Sequence, residues 1–255
     1  MINVVKIGGN VIDNPTELQT FLAGFAALEG PKILVHGGGK EATRLSAEIG
    51  LETTMIDGRR VTDAATLQIV TMVYAGLVNK RIVAALQAAG CDAVGLSGAD
   101  GNVIRALKRP AKPVDYGFVG DIQTVDHAFI ARLLYDGKTP VFCAICHNGK
   151  GTLLNCNADS VASAVAGAAA RIGHARLTFC FEKAGVMTDV DDESTVIPLI
   201  TAESFKALKE KGIVAGGMLP KIENALKSAR GGLAEVRICK AEALCGQGGT
   251  VIRYE

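Results

Sequence analysis

The chain has 255 residues, 49% of them apolar and 21% charged, with a formal net charge of +1. That length can bury a large core as one α/β domain or as two lobes, and the near-neutral balance excludes the basic stripe of a nucleic-acid binder. Seven cysteines, an odd count, and strand-like sequence from Ile2 onward in place of a secretory leader predict a cytoplasmic protein without a disulfide framework. The longest run of small apolar residues, 161–170, is too short to span a membrane.

In chain order, Val4-Val5-Lys6-Ile7 predicts a strand that runs straight into Gly8-Gly9. Asn14-Pro15 with Glu17 opens a helix whose apolar face is Leu18, Phe21, Leu22, Phe25 and Leu28. A second strand, Ile33-Leu34-Val35-His36, ends in Gly37-Gly38-Gly39, so residues 1–36 read as strand–helix–strand, the unit of a parallel sheet. A helix starts near Lys40, a longer one covers 64–89, and a strand at 93–96 leads into the turn Ser97-Gly98-Ala99-Asp100-Gly101. A β-rich stretch continues to Val125, interrupted by a loop at Pro110 and Pro113.

A helix at 126–135, a strand at 140–146 and a helix at 157–170 complete a first lobe, 1–172. The pattern restarts in a second lobe, 173–255: strand 175–181, glycine turn at Gly185, strand 196–199 and helix 202–211. A glycine hinge at Gly216-Gly217, helix 219–229 and strands at 235–238 and 250–253 finish the chain. The order predicts an α/β fold, a three-layer α/β/α sandwich around a mainly parallel central sheet.

Cys143-Ala-Ile-Cys146-His147 matches the C-x-x-C-H haem-attachment signature. It follows Pro140-Val141-Phe142 and runs into a glycine turn, whereas a redox C-x-x-C opens a helix. The segment is expected to be a buried strand whose cysteines serve as small hydrophobes.

The chemistry gathers elsewhere. Glycine loops after strands let backbone N–H groups converge on an anion, and Lys6 adds a fixed charge to the first of them. Neither G-x-x-x-x-G-K-[ST] nor a strand-following G-x-G-x-x-G occurs, so nucleotide chemistry would need another scaffold. Three further segments supply one. Leu154-Asn155-Cys156-Asn157-Ala158-Asp159 clusters polar groups before an alanine-rich helix, beyond what capping by Asn157 or Asp159 requires. Gly216-Gly217-Met218-Leu219-Pro220-Lys221 places a cation in a first helical turn, against the helix dipole, which suggests an anionic partner. Asp57-Gly58-Arg59-Arg60-Val61-Thr62 offers arginine from a turn, suited to a carboxylate.

With VHGGG, AGLVNK (75–80), GLSGADG (95–101), GFVGDI (117–122) and the closing GTVI (249–252), these segments resemble, in order and over essentially the whole chain, the amino-acid kinase family. The R-x-T, A-G-x-x-N-K and N-x-N-A-D elements resemble its branch that phosphorylates N-acylated glutamate. The resemblance implies ATP-dependent phosphorylation of the γ-carboxylate of N-acetyl-L-glutamate, a step of arginine biosynthesis, or of another N-acyl-glutamate such as N-succinyl-L-glutamate. It implies that Lys6 and Lys221 flank the transferring phosphoryl group and that Asp159 holds both ammonium groups. Gly8 and Gly9 would bind phosphate. Gly37, Gly38, Arg60 and Asn155 would bind the acyl-glutamate. Glu182, Lys183, Ala184, Gly185, Val186 and Met187, with Ile213, Val214 and Ala215, would line the ATP site in the second lobe.

The first lobe would carry acyl-glutamate binding and dimerisation. Mg²⁺ would be held mainly by the ATP phosphates, with no dedicated protein ligands. A third acyl carboxylate, as in a succinyl group, would need another cation, for which Arg59 and Lys80 are candidates. A non-catalytic sensor of the same fold would have lost one of Lys6, Asp159 and Lys221, and all three are present. Two departures stand out: Asn10 follows the first glycine pair, and Glu182-Lys183-Ala184-Gly185 replaces the usual T-D-V-x-G. Because the first strand starts at Ile2, the extra helix of arginine-inhibited members is not expected, nor is arginine feedback. A homodimer is expected rather than a hexamer.

Overall fold

A computed structural model describes residues 1–189, 191–214, 218–246 and 248–254. Strand β1 (Ile2–Ile7) ends at the first glycine pair, and a short helix, α1 (Gly9–Asp13), precedes α2 (Pro15–Ala27). Asn14 caps α2, its side-chain oxygen accepting from the N–H groups of Thr16 and Glu17, and Pro15 sits where a missing N–H costs nothing. Leu18, Phe21, Leu22 and Phe25 are buried, each contributing roughly 1.5–3 kcal/mol of hydrophobic stabilisation.

Strand β2 (Lys32–His36) pairs in parallel with β1 and feeds α3 (Gly39–Glu48). A hairpin of β3 (Met55–Ile56) and β4 (Arg59–Arg60) follows. Next comes one long helical run, α4 (Ala64–Thr71), a π-helical segment (Met72–Val78) and α5 (Asn79–Ala88). By length and composition residues 64–88 could cross a bilayer, which the sequence reading missed. Here Ile69, Val70, Val73, Val78, Ile82 and Leu86 are buried in the protein's own core.

The chain continues through β5 (Ala93–Leu96), β6 (Ile104–Lys108), β7 (Gly120–Val125), α6 (His127–Tyr135), β8 (Thr139–Cys143), β9 (Ile145–His147) and β10 (Leu153–Asn155). It then forms α7 (Ala158–Ala170), β11 (Ala175–Phe181), β12 (Leu199–Ile200), α8 (Ala202–Glu210), α9 (Met218–Arg230), β13 (Glu235–Lys240) and β14 (Thr250–Ile252). Eight strands make the central sheet, in the order β12-β14-β13-β11-β1-β2-β8-β5. All neighbours in it are parallel except β13 and β14. The β1–β11 pairing, Ile2↔Ala175 through Ile7↔Cys180, carries this sheet across residues 172 and 173.

Helices α6, α7 and α9 pack together against one face, while α1, α2, α3 and α5 form the other layer, giving the three-layer α/β/α sandwich. A second sheet, β10-β9-β6-β7, stands beside β8. The strand expected at 140–146 splits at Ala144, because the chain leaves the central sheet there and enters the second one. The strand expected at 196–199 is displaced to β12, after a 3₁₀ turn at Glu193–Thr195 capped by Asp192.

Candidate active site

The carboxyl ends of the parallel strands deliver the chemistry to one edge, as open α/β sheets do. Lys6 on β1 places Nζ 2.7 Å from Oδ1 of Asp159, in the first turn of α7. Asn157 caps that helix by accepting from the Ser160 N–H at 3.0 Å, which leaves Asp159 to meet Lys6.

From α9, the Lys221 ammonium lies 4.2 Å from the centroid of the Phe181 ring at the end of β11. Burial lowers the Lys221 pKa, the Lys6 charge lowers it further, and Asp159 and Glu182 oppose the shift. Two lysines from opposite ends of the chain therefore share one electrostatic neighbourhood, with Asp159 acting on both. Asp159 holds Lys6 by a direct ion pair and reaches Lys221 through space. Ala215 and the hinge Gly216-Gly217 lie outside the described residues.

The glycine clusters head two helices. Gly8 and Gly38 are the N-caps of α1 and α3, and neither helix start has a side-chain cap. First-turn N–H groups have no intrahelical partner, so both ends offer donors. The expectation that Gly8 itself donates to phosphate needs correction: its N–H is spent on the Cys180 carbonyl at 2.8 Å, closing the β1–β11 ladder. Gly9 and the α1 start beyond it are the open positions.

Gly37, Gly38, Arg60 and Asn155 line one cleft of about 180 Å³, together with Tyr74 and Arg59. Arg60 is buried and donates to Thr53 Oγ1 at 3.0 Å, Gly39 O at 2.8 Å and Thr43 Oγ1 at 2.7 Å. Three of the five guanidinium N–H donors are thus used to fix its plane, and the Tyr74 side chain forms a further hydrogen bond with Arg60. Asn155 Nδ2 donates to Thr62 Oγ1 at 3.0 Å, and Thr62 donates to the Arg60 carbonyl at 2.9 Å. The R-x-T and N-x-N-A-D segments are therefore two halves of one hydrogen-bonded wall.

Gly38 lies with φ at 156°, and a Cβ there would sit 2.8 Å from Tyr74 Cδ1. The residue is glycine because the aromatic ring occupies the space a side chain would take. Sequence reasoning missed Tyr74 as a lining residue of this cleft, and missed the bond between Asn79 and His36. His36 stood inside VHGGG and Asn79 inside AGLVNK, and only the fold joins them.

Among the expected nucleotide positions, Glu182 is exposed and Lys183, Ala184 and Ile213 are partly so. Gly185, Val186, Met187 and Val214 are buried, and the Val186 N–H donates to Thr250 Oγ1 at 2.8 Å. Of the two cations considered for an additional carboxylate, Lys80 points elsewhere, bonded to Asn79 Oδ1 and Gly95 O. Arg59 lines the cleft, and its side chain forms no hydrogen bond or ion pair among the described residues.

The expected buried strand around Cys143 and Cys146 is present as β8 and β9, and both thiols are free and fully buried.

Known proteins resemble this chain in sequence and fold. The chain is 50% identical over 252 residues to the acetylglutamate kinase of Phocaeicola vulgatus, covering 99% of this chain and 98% of that one. It is 41% identical over 256 residues to the acetylglutamate kinase of Methanopyrus kandleri, covering 99% and 100%. Among solved structures, smu.665 from Streptococcus mutans superposes with a TM-score of 0.84 at 27% identity, covering 100% of this chain and 99% of that one. Residues 1–240 match the family described as the amino acid kinase family. With paired lysines, a shared aspartate and two glycine-headed helices on one sheet edge, the chain belongs to the amino acid kinase family.

Proposed function

We propose that the chain transfers the γ-phosphoryl group of ATP to the γ-carboxylate of N-acetyl-L-glutamate, a step of arginine biosynthesis. The observation that carries this is the convergence of Lys6 and Lys221 around Asp159, beside a cleft lined by Arg60, Asn155 and the glycine-headed start of α3. A carboxylate oxygen attacks the γ-phosphorus, the bond to the β,γ-bridging oxygen breaks, and ADP leaves with the acyl phosphate formed.

Anion approaching polyanion is repulsive, so positioning and charge neutralisation supply most of the catalysis. In this reading Lys6 and Lys221 neutralise the phosphoryl oxygens in flight. Asp159 holds Lys6 by its ion pair and keeps Lys221 charged against desolvation. Gly9 and the α1 start donate to phosphate, and Gly37, Gly38, Arg60 and Asn155 seat the acyl-glutamate. The segment 182–187 with Ile213 and Val214 holds the nucleotide in a second lobe, 173–255, through backbone groups where the side chains are buried. Among the described residues no cluster of three His, Cys, Asp or Glu groups could cage a metal. Mg²⁺ suits this site as an ion carried by the nucleotide phosphates and water. A cytoplasmic homodimer is the form expected for this enzyme, and sedimentation of the purified chain reads its assembly.

One observation favours a second acyl group. Arg59 brings an unpaired guanidinium to the cleft, the group a succinyl carboxylate would need. ADP release with Mg²⁺ and ATP across N-acetylglutamate, N-succinylglutamate, glutamate and aspartate tests both readings. Turnover of free glutamate, with neither acylated form active, would overturn them.

A further inference from the structure

Behind Gly37 lies a chain of polar groups, buried at His36 and Asn79 and exposed at Lys80, that none of these roles uses. His36, fully buried at the end of β2, has Nδ1 2.7 Å from the Gly37 carbonyl oxygen and Nε2 2.9 Å from Asn79 Nδ2. Asn79 Nδ2 also donates to the Val141 carbonyl at 2.9 Å. Its Oδ1 accepts from Lys80 Nζ at 3.1 Å, and that ammonium reaches the Gly95 carbonyl at 3.2 Å.

These bonds fix one another's direction. A carbonyl can only accept and an ammonium can only donate, so Val141 and Lys80 determine which end of the Asn79 amide is which. Flipping that amide would face NH₂ to ammonium and oxygen to a carbonyl. Asn79 therefore presents a donor to His36, Nε2 must accept, and the single ring proton sits on Nδ1, donated to Gly37. The Gly37–Gly38 peptide is trans, so its C=O and N–H point in opposite directions. Holding the carbonyl against the buried imidazole turns the Gly38 N–H to the other side, and both glycines line the cleft. The Tyr74 ring, packed on Gly38, restricts the peptide from its second flank.

We propose that His36 is a positioning residue: locked as its Nδ1–H tautomer by Asn79 and Lys80, it pins the Gly37 carbonyl and aims the Gly38 N–H at the acceptor carboxylate. The proposal rests on the reading of the cleft as the acyl-glutamate site. It gives the Asn-Lys pair of AGLVNK a task at the chemistry although neither residue touches substrate.

Two variants separate this from a packing role. Asn carries its amide nitrogen at the Nδ1 position, so His36→Asn keeps the donor to Gly37. Gln carries its amide at the Nε2 position, so His36→Gln fills more of the space yet loses that donor. His36→Asn is expected to retain kcat within about threefold, while His36→Gln loses about 10- to 10²-fold in kcat with the KM for ATP nearly unchanged. A packing role predicts the opposite ranking, with Gln the better substitute, and that result would overturn the proposal.

Nitrogen-15 NMR of the histidine-labelled wild-type protein, with His36 assigned by its loss in His36→Asn, gives a second readout that needs no active variant. The expected state at neutral pH is a neutral ring with the proton on Nδ1. An Nε2–H tautomer or an imidazolium would refute the arrangement. If the wild-type chain turned over no N-acyl-glutamate, the functional reading would fail by itself, and the tautomer measurement would still decide the buried network.

Discussion

Lys6 and Asp159 form an ion pair at 2.7 Å, with side chains only 14% and 16% exposed, between the end of a central strand and the first turn of α7. An ammonium so placed is held in direction by a single carboxylate. Its carboxylate partner fixes direction while leaving other N–H donors free. In the proposed reaction, replacing Lys6 by Met removes a donor to the transferring group and leaves Asp159 facing the incoming phosphates. We expect kcat to fall on the order of 10²–10³-fold, with the KM for N-acetylglutamate changed little. Lys6→Arg should not restore it, because a planar fork cannot replace a compact point charge beside Asp159. Steady-state kinetics of the two variants check this, and a Lys6→Met enzyme within about threefold of wild type would remove Lys6 from the chemistry.

Lys221 carries a cost that shows in stability. Its folded pKa lies below the ordinary lysine value because burial and the Lys6 charge disfavour the ammonium. Between the folded and unfolded values the unfolded chain binds more protons, so stability rises with pH through that window. Below that window the charged Lys221 is held at a penalty, which the Phe181 ring offsets by about 1 kcal/mol. Lys221→Met should therefore lose activity strongly yet melt at a higher temperature than wild type at pH 7. Thermal melts settle it, and a lower melting temperature would mean that the ring and Asp159 outweigh desolvation.

The parallel sheet was legible because hydrophobic runs ending in glycine recur along the chain, and such runs are local. The cap at Asn14 and the face Leu18–Phe21–Leu22–Phe25 were legible for the same reason. The hairpin of Met55–Ile56 with Arg59–Arg60 and the helix Gly9–Asp13 were not, because such short elements show no period. The π-helical turn at Met72–Val78 is equally silent, since an apolar run reads alike in α and π form. Site residues were found where they stood in glycine or Asn-Asp clusters. The bonds between Asn155 and Thr62, 93 residues apart, and between Asn79 and His36, 43 apart, depend on tertiary contact that no window of sequence contains. The Gly8 amide shows the converse: a glycine in the right loop whose N–H the sheet had already taken.

Burial lowers the His36 pKa to about 4, and the nearby Lys80 charge adds to the effect against the Gly37 bond, which favours the proton. The unfolded chain titrates near 6.5, so between 4 and 6.5 it binds more protons than the folded one. The stabilisation is complete above pH 6.5 and is lost as pH falls through 4, worth on the order of 3 kcal/mol across the window. Asp13, whose carboxyl burial raises, titrates with the opposite sign, so the clean quantity is a difference. Denaturant unfolding of wild type and His36→Asn from pH 4.5 to 7 should show a steeper rise for wild type by up to one proton. Parallel curves would mean that His36 is not held neutral.

The thiols allow a test in which acidity and access predict different residues. Burial pushes the Cys143 thiol up to about 12, and Cys146 is likewise raised beside Cys156. Cys239 goes the other way, lowered by the Cys180 thiol 3.8 Å from it, yet it is fully buried. Were acidity to govern reactivity, Cys239 would be modified before Cys143 and Cys146. Access instead favours Cys245, the one exposed thiol among the described residues. At pH 8 with a thiol-specific disulfide reagent, about one equivalent should react quickly, mapped to Cys245, with the rest reacting only after denaturation. Rapid modification of Cys143 or Cys146 would mean that β8 and β9 open readily and would reinstate a redox reading of the C-x-x-C segment. Rapid modification of Cys239 alone would place a path to the β11–β13 pair that the packed sheet does not offer.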